Sequence, residues 1–200
     1  MSLAADPTIL IVPGLRDHVP DHWQTLLAAR LTNVRSVAPM GRENLDCAMR
    51  VDAIEREACA IDGPVVIVAH SGGVLSVAHW ARMTSRPVQG ALLAVPPDFD
   101  TPMPEGYPGM EALRAGGWFP VPRGPLPFPS IAALSRNDPL GRYARIEMLA
   151  KGWGSRIVDL GEVGHLNPAS GFGDWPRADA LVAELVAIPH YCRLKSRLRP

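Results

Sequence analysis

The chain has 200 residues, of which 47% are hydrophobic, and its 20 lysines and arginines balance its 20 aspartates and glutamates. That length supports one sizeable core, so a single domain is expected over residues 1–188. Zero net charge supplies no whole-protein field to draw in nucleic acid or a membrane surface, and neither is expected as a partner.

In chain order, "TILIV" at Thr8–Val12 is a β-branched run closed by Pro13-Gly14, the pattern of a buried strand. Asp21 is placed as N-cap ahead of a helix carrying Trp23, Leu26, Leu27 and Leu31 on one face. Val34–Val37 follows as a second strand. Asp46 to Ala60 reads as an amphipathic helix with Met49, Ala53, Ile54, Ala58 and Ile61 on its inner side. Val65–Ala69 is a third strand and Gly73–Met83 a helix. Ala91–Val95, Ile131–Leu134 and Arg156–Leu160 supply three more strands, with helices expected at Leu140–Ala150 and Pro176–Ala187. Near-continuously apolar strands that alternate with helices imply an α/β fold, a mostly parallel six-stranded sheet with helices on both faces. In such a sheet every strand's carboxyl end lies on one rim, where ligands bind.

Two stretches break the rhythm. Residues 96–129 are rich in proline, glycine and aromatics, too long for an ordinary connection, and read as an irregular, lid-like loop. Residues 189–200, with Arg193, Lys195, Arg197 and Arg199, read as a solvated basic tail. No apolar run approaches the ~20 residues that cross a bilayer, and Met1–Pro7 has no secretory pattern, so a cytoplasmic location is expected. Cys47, Cys59 and Cys192 are odd in number and lack C-x-x-C spacing, which fits reduced thiols rather than a disulfide framework or zinc site. No metal or cofactor is expected.

The third strand ends on "AHSGG", Ala69–Gly73. A phosphate loop needs a lysine after the last glycine, and none is present. An ordinary turn and a nucleophile elbow remain. An elbow normally reads G-x-S-x-G, so Ala69 is a small departure. Gly72, after the serine, would begin the helix with its N–H aimed at a developing oxyanion.

Ser71 needs a base, because a free hydroxyl is a weak nucleophile at neutral pH. His165 lies in "GEVGHLNPASGFGDWP", a glycine-rich loop after the last strand. Asp138 lies in an N-D-P turn just beyond the fifth strand, where a carboxylate could fix the tautomer of His165. Asp98 and Asp100, after the fourth strand, are rival acids. His70, His79 and His190 are poorer bases by position. The second oxyanion donor is expected from the loop after the first strand, with Leu15 N–H preferred and Arg16 N–H the runner-up. Gly14 lets backbone approach the substrate there. His18 and His22 are candidate pocket residues, although His22 beside Trp23 fits helix-start packing equally. Trp118 and Phe119 are further pocket candidates from the 96–129 loop, where aromatic packing onto the sheet competes with that role.

Together "IVPGLRDHVPDHWQ", "VAHSGGVLSVAHWA", "LSRNDP" and "GHLNPASGFGDWP" resemble the compact serine hydrolases of the retinoblastoma-binding-protein-nine and YdeN-like group, in the α/β-hydrolase superfamily. The resemblance runs from Ile9 to about Pro176 and implies a triad of Ser71, Asp138 and His165. It also implies a small fold without a large cap domain. The group's name refers to an L-x-C-x-E peptide, whereas this chain has "LDCAM", with Met49 in place of the glutamate. Partner binding of that kind is therefore not expected. The expected function is cleavage of small acyl esters through an acyl-enzyme, as a carboxylesterase. Amide or peptide hydrolysis by the same chemistry, or a non-catalytic binding protein on the same fold, are the alternatives.

Overall fold

The computed structural model describes residues 6–16 and 18–188. The expected basic tail, with His190 and Cys192, lies outside the described residues, as does most of Met1–Pro7. Six strands form one sheet: β1 (Thr8–Val12), β2 (Val34–Ser36), β3 (Val65–His70), β4 (Gly90–Ala94), β5 (Ser130–Leu134) and β6 (Arg156–Asp159). All five pairings are parallel, in the order β2-β1-β3-β4-β5-β6. The helices are α1 (Trp23–Arg30), α2 (Cys47–Cys59), α3 (Gly72–Trp80), α4 (Met110–Ala115), α5 (Tyr143–Gly152) and α6 (Arg177–Val186).

Alternation along the strands builds two apolar layers. Ile9, Ile11, Val66 and Val68 point to α1 and α6, where Trp23, Leu27, Leu181 and Leu185 close the core. Leu10, Val12, Ile67 and Ala69 point the other way, onto α2 and α3. Both faces are therefore covered, which is why β1, β3, β4 and β5 are buried along their whole length. Chain order reverses between β1 and β3, and that reversal opens a crevice at their carboxyl ends.

Several local expectations need correction. The N-cap of α1 is His22, not Asp21: its Nδ1 accepts the Gln24 N–H at 3.2 Å. Met49 points outward, half exposed, because Ala53, Ile54 and Ala58 already fill the inner side of α2. Residues 96–129 are not uniformly irregular. They contain α4, and Leu113 and Trp118 are completely buried. The segment is tied down by Trp118 Nε1–H to Leu45 O at 2.7 Å and Cys47 N–H to Gly116 O at 2.8 Å. Cys47 begins α2 and is buried, which leaves "LDCAM" no extended form to present. Burial also raises its thiol pKa to about 11, against the thiolate. Among the described residues, no helix is long and apolar enough to cross a membrane.

Candidate active site

β3 runs straight into α3 through Ser71, whose backbone sits at φ 55 and ψ −131. For a residue with a Cβ that conformation is strained by about 1–3 kcal/mol and persists only where surroundings impose it. They do so here. Ser71 N–H donates to Ala94 O at 3.0 Å, tying the turn to the end of β4. Behind it, Gly73 has no room for a side chain, since a Cβ would come within 2.4 Å of Pro13 O. Gly14 is close as well, though less so, because a Cβ there would lie 3.1 Å from Ser71 Cβ. The glycines at 14 and 73 thus let β1's loop press against the elbow, and Ser71 Oγ stands on the sheet's rim. The methyl of Ala69 is accommodated within the buried strand.

Two loops bring partners to that hydroxyl. His165 Nε2 lies 2.7 Å from Ser71 Oγ, and its Nδ1 lies 2.8 Å and 3.0 Å from the two carboxylate oxygens of Asp138. The carboxylate accepts, so Nδ1 carries the ring proton and Nε2 is left bare toward the serine. Both side chains of this pair are only 4% exposed. Asp138 also accepts the Leu140 N–H at 2.8 Å, which fixes its χ angle. The rival acids lie elsewhere. Asp98 and Asp100 pair with Arg145 and Arg123, which pin the start of the 96–129 segment.

The loop that carries His165 is held by groups that sequence reading passed over. Asn137 Oδ1 accepts Gly164 N–H at 2.7 Å, and Ser170 Oγ accepts His165 N–H at 3.0 Å. The His70 ring, at the end of β3, reaches across with Nε2 3.0 Å from His165 O. A carbonyl only accepts, so His70 Nε2 bears the hydrogen. Leu166, immediately after, is at φ 46, and Val95, at the end of β4, is at φ 42. With Ser71, three non-glycine residues in the left-handed region ring one site. The adjacency of His70 to Ser71 was visible in the sequence, but its bond depends on how far two loops approach.

His22, His70 and His165 pack as a row, with ring centroids 4.5 Å and 5.0 Å apart. Burial, then the neighbouring His165 and His18, lowers His22 to about 4, and burial lowers His70 well below the ordinary histidine value. Both are therefore neutral around pH 7. His22 Nδ1 accepts from Gln24, so its hydrogen is on Nε2.

A cavity of about 360 Å³ opens beside Ser71. Gly14, Leu15, His22 and Gly72 line it, as the sequence suggested, together with Phe99 and Tyr107. Three pocket candidates do not. His18 turns away to bond Val37 O at 3.1 Å, Trp118 is sunk in the core, and Phe119 packs at its edge beneath Arg114. Their rings find partners within the fold, Trp118 fully and His18 and Phe119 in part, and none of the three lines the cavity. Leu15 and Gly72 are neighbours across the elbow, since a Cβ on Gly72 would meet Leu15 Cγ at 2.7 Å. Gly72 N–H is at the first turn of α3, where N–H groups have no intrahelical acceptor.

A family model described as serine hydrolase matches residues 9–184. A solved structure described as a YdeN-like hydrolase, from Pectobacterium atrosepticum, is similar at 29% identity and TM-score 0.79, over 92% of this chain and 94% of that one. The ydeN gene product of B. subtilis is similar at 16% identity and TM-score 0.67, over 90% and 98%. Est1E of Butyrivibrio proteoclasticus, solved with ferulic acid bound, is similar at 16% identity and TM-score 0.65, over 90% and 86%. Comparison with curated proteins gave no match. The last two structures share the fold.

Proposed function

Because the chain belongs to the serine hydrolase family, we propose that Ser71, His165 and Asp138 are its catalytic triad and that it cleaves small carboxylic esters through an acyl-enzyme. Ser71 Oγ attacks the ester carbonyl carbon while its proton passes to His165 Nε2. Asp138 holds the ring tautomer and balances the imidazolium that forms. The carbonyl oxygen takes up negative charge between the N–H groups of Gly72 and Leu15, each such donor contributing about 2.7–4 kcal/mol to the transition state. When the tetrahedral adduct collapses, the C–O bond to the alcohol breaks and His165 returns the proton to the departing oxygen. Water then repeats the sequence on the acyl-enzyme, releasing acid and restoring Ser71.

The observation that carries this reading is the unbroken chain of contacts, 2.7 Å from hydroxyl to imidazole and 2.8 Å from imidazole to carboxylate, at a residue with positive φ. The cavity's mostly apolar wall supports an acyl ester rather than a polar peptide. A fluorophosphonate probe is expected to label the protein at Ser71, and Ser71→Ala to abolish both labelling and turnover of p-nitrophenyl acetate and butyrate, a loss of at least about 10³-fold. Labelling with cleavage of p-nitroanilides but of no ester would favour the amidase alternative. Labelling that survives Ser71→Ala would refute the assignment.

A further inference from the structure

The cavity carries charge that hydrolysis of a neutral ester does not use. Arg16 and Arg42 both line it, and neither guanidinium is in an ion pair among the described residues. Other arginines of this chain do find carboxylates, including Arg30, Arg35, Arg136 and Arg156 on the surface. Among the described residues Glu43 is the one acidic residue of the lining, beside these two cations.

Arg16 is also placed rather than loose. Its guanidinium carbon lies 4.9 Å from the centroid of the Tyr107 ring, and Tyr107 belongs to the opposite wall, supplied by residues 96–129. The side chain therefore reaches from β1's loop, one residue past the proposed oxyanion donor Leu15, across to that wall. A guanidinium stacked on an aromatic face keeps its N–H edge available and loses little rotamer freedom on bonding an oxyanion. Beneath it the wall is apolar, with Val19, Leu45, Phe99 and Met103.

The geometry points to a substrate that is an ester bearing a second, anionic group, a carboxylate or a phosphate, which Arg16 and Arg42 hold while the scissile carbonyl rests on Ser71. This rests on the hydrolase reading above and narrows it. Apolar atoms of the substrate fill the wall, and the anion at the mouth sets which way round the ester enters. Planar, multidentate donors suit both oxyanions, and the two sources are separated by experiment.

The experiment compares matched esters on the intact protein by pH-stat titration. Butyl acetate, 4-acetoxybutanoate and 3-acetoxypropyl phosphate all leave the same acetyl-enzyme, so differences among them report recognition of the alcohol side. Ethyl pentanoate and monoethyl glutarate make the same comparison on the acyl side. At least one anionic ester is expected to exceed its neutral partner in kcat/KM by about tenfold or more. That ratio is expected to fall toward one in Arg16→Gln and in Arg42→Gln, and in about 0.5 M salt. Whether the carboxylate or phosphate ester gains identifies the anion. Ratios at or below one for every pair overturn the inference, as does a ratio that survives both substitutions. In those cases Ser71-dependent labelling by fluorophosphonate still upholds the hydrolase. Loss of that labelling removes both.

Discussion

Ser71 lines one side of the cavity and, with Val95 and Leu166 close behind it, holds a left-handed backbone angle, whereas the opposite wall comes from residues 96–129 and is secured by a handful of bonds, several of them from side chains. On the rim, positions are set by close approach to backbone and by side chains bonded to backbone. Gly73 lies under Pro13 O, Gly14 under Ser71, and His70 bonds the carbonyl of His165. Along the wall, a few anchors carry the segment, Asp98 on Arg145 and Trp118 on Leu45 O, with Asp100 on Arg123 as a brace within it. Between those anchors, Met103 and Tyr107 are only partly buried. A rim built this way tolerates little substitution, and a wall built that way can change its lining without disturbing the chemistry. Three experiments test that division.

The largest effect concerns the histidine row behind the rim and is read in stability. His22 titrates near pH 4 in the folded chain and at about 6.5 unfolded. Between those values the unfolded chain binds the extra proton, so stability is fully present above pH 6.5 and is lost as pH falls toward 4. For His22 alone the loss from pH 7 to pH 4 is about 3 kcal/mol. His70, lowered by burial, adds to it in the same direction. Urea unfolding across that range is expected to show the slope, and His22→Asn, which keeps a capping oxygen, to flatten part of it. An unchanged slope in the variant would mean that His22 is protonated in the folded state.

His70 comes next, as a positioning residue. Its hydrogen bond holds the peptide between His165 and the strained Leu166, so losing it lets the base drift from Ser71. Misplacement on the scale of 1 Å costs about 10²-fold. His70→Leu is expected to lower kcat by about 10- to 100-fold with little change in KM, and His70→Gln, whose amide nitrogen can donate from a similar place, to recover most of it. Two variants equally slow but equally well folded would assign His70 to packing alone.

The same division explains what could be read from the chain. The alternation of apolar runs yields the parallel sheet, because both faces of each central strand are buried. Ser71, Asp138 and His165 were identifiable because each follows a strand and carries a residue type that the chemistry demands; the structure brings them within hydrogen-bonding distance. His70, Asn137 and Ser170 were not, since an imidazole, an amide and a hydroxyl have many uses, and these three act through distances that two loops define jointly. Trp118 and Phe119 misled for the opposite reason. Aromatics in a long loop signal burial, but the sequence does not say whether a ligand or the core buries them, and here the core takes Trp118 fully and Phe119 at its edge.

Trp118 therefore offers the smallest and most discriminating test. It lies outside the cavity lining, yet its indole fills the core and bonds Leu45 O, and its ring meets Phe99 edge-on at 5.2 Å. Trp118→Phe removes the donor, leaves a half-buried carbonyl without it and opens a small void, a cost of about 1–3 kcal/mol. That loss is expected as a fall of several degrees in Tm. Because Phe99 lines the cavity and leans on this indole, KM for longer acyl esters is expected to rise, while kcat on acetate stays within about twofold, since the rim is held by its own contacts. A fall in kcat as deep as that of His70→Leu would show that wall and rim move together, and the rim would no longer count as independently held.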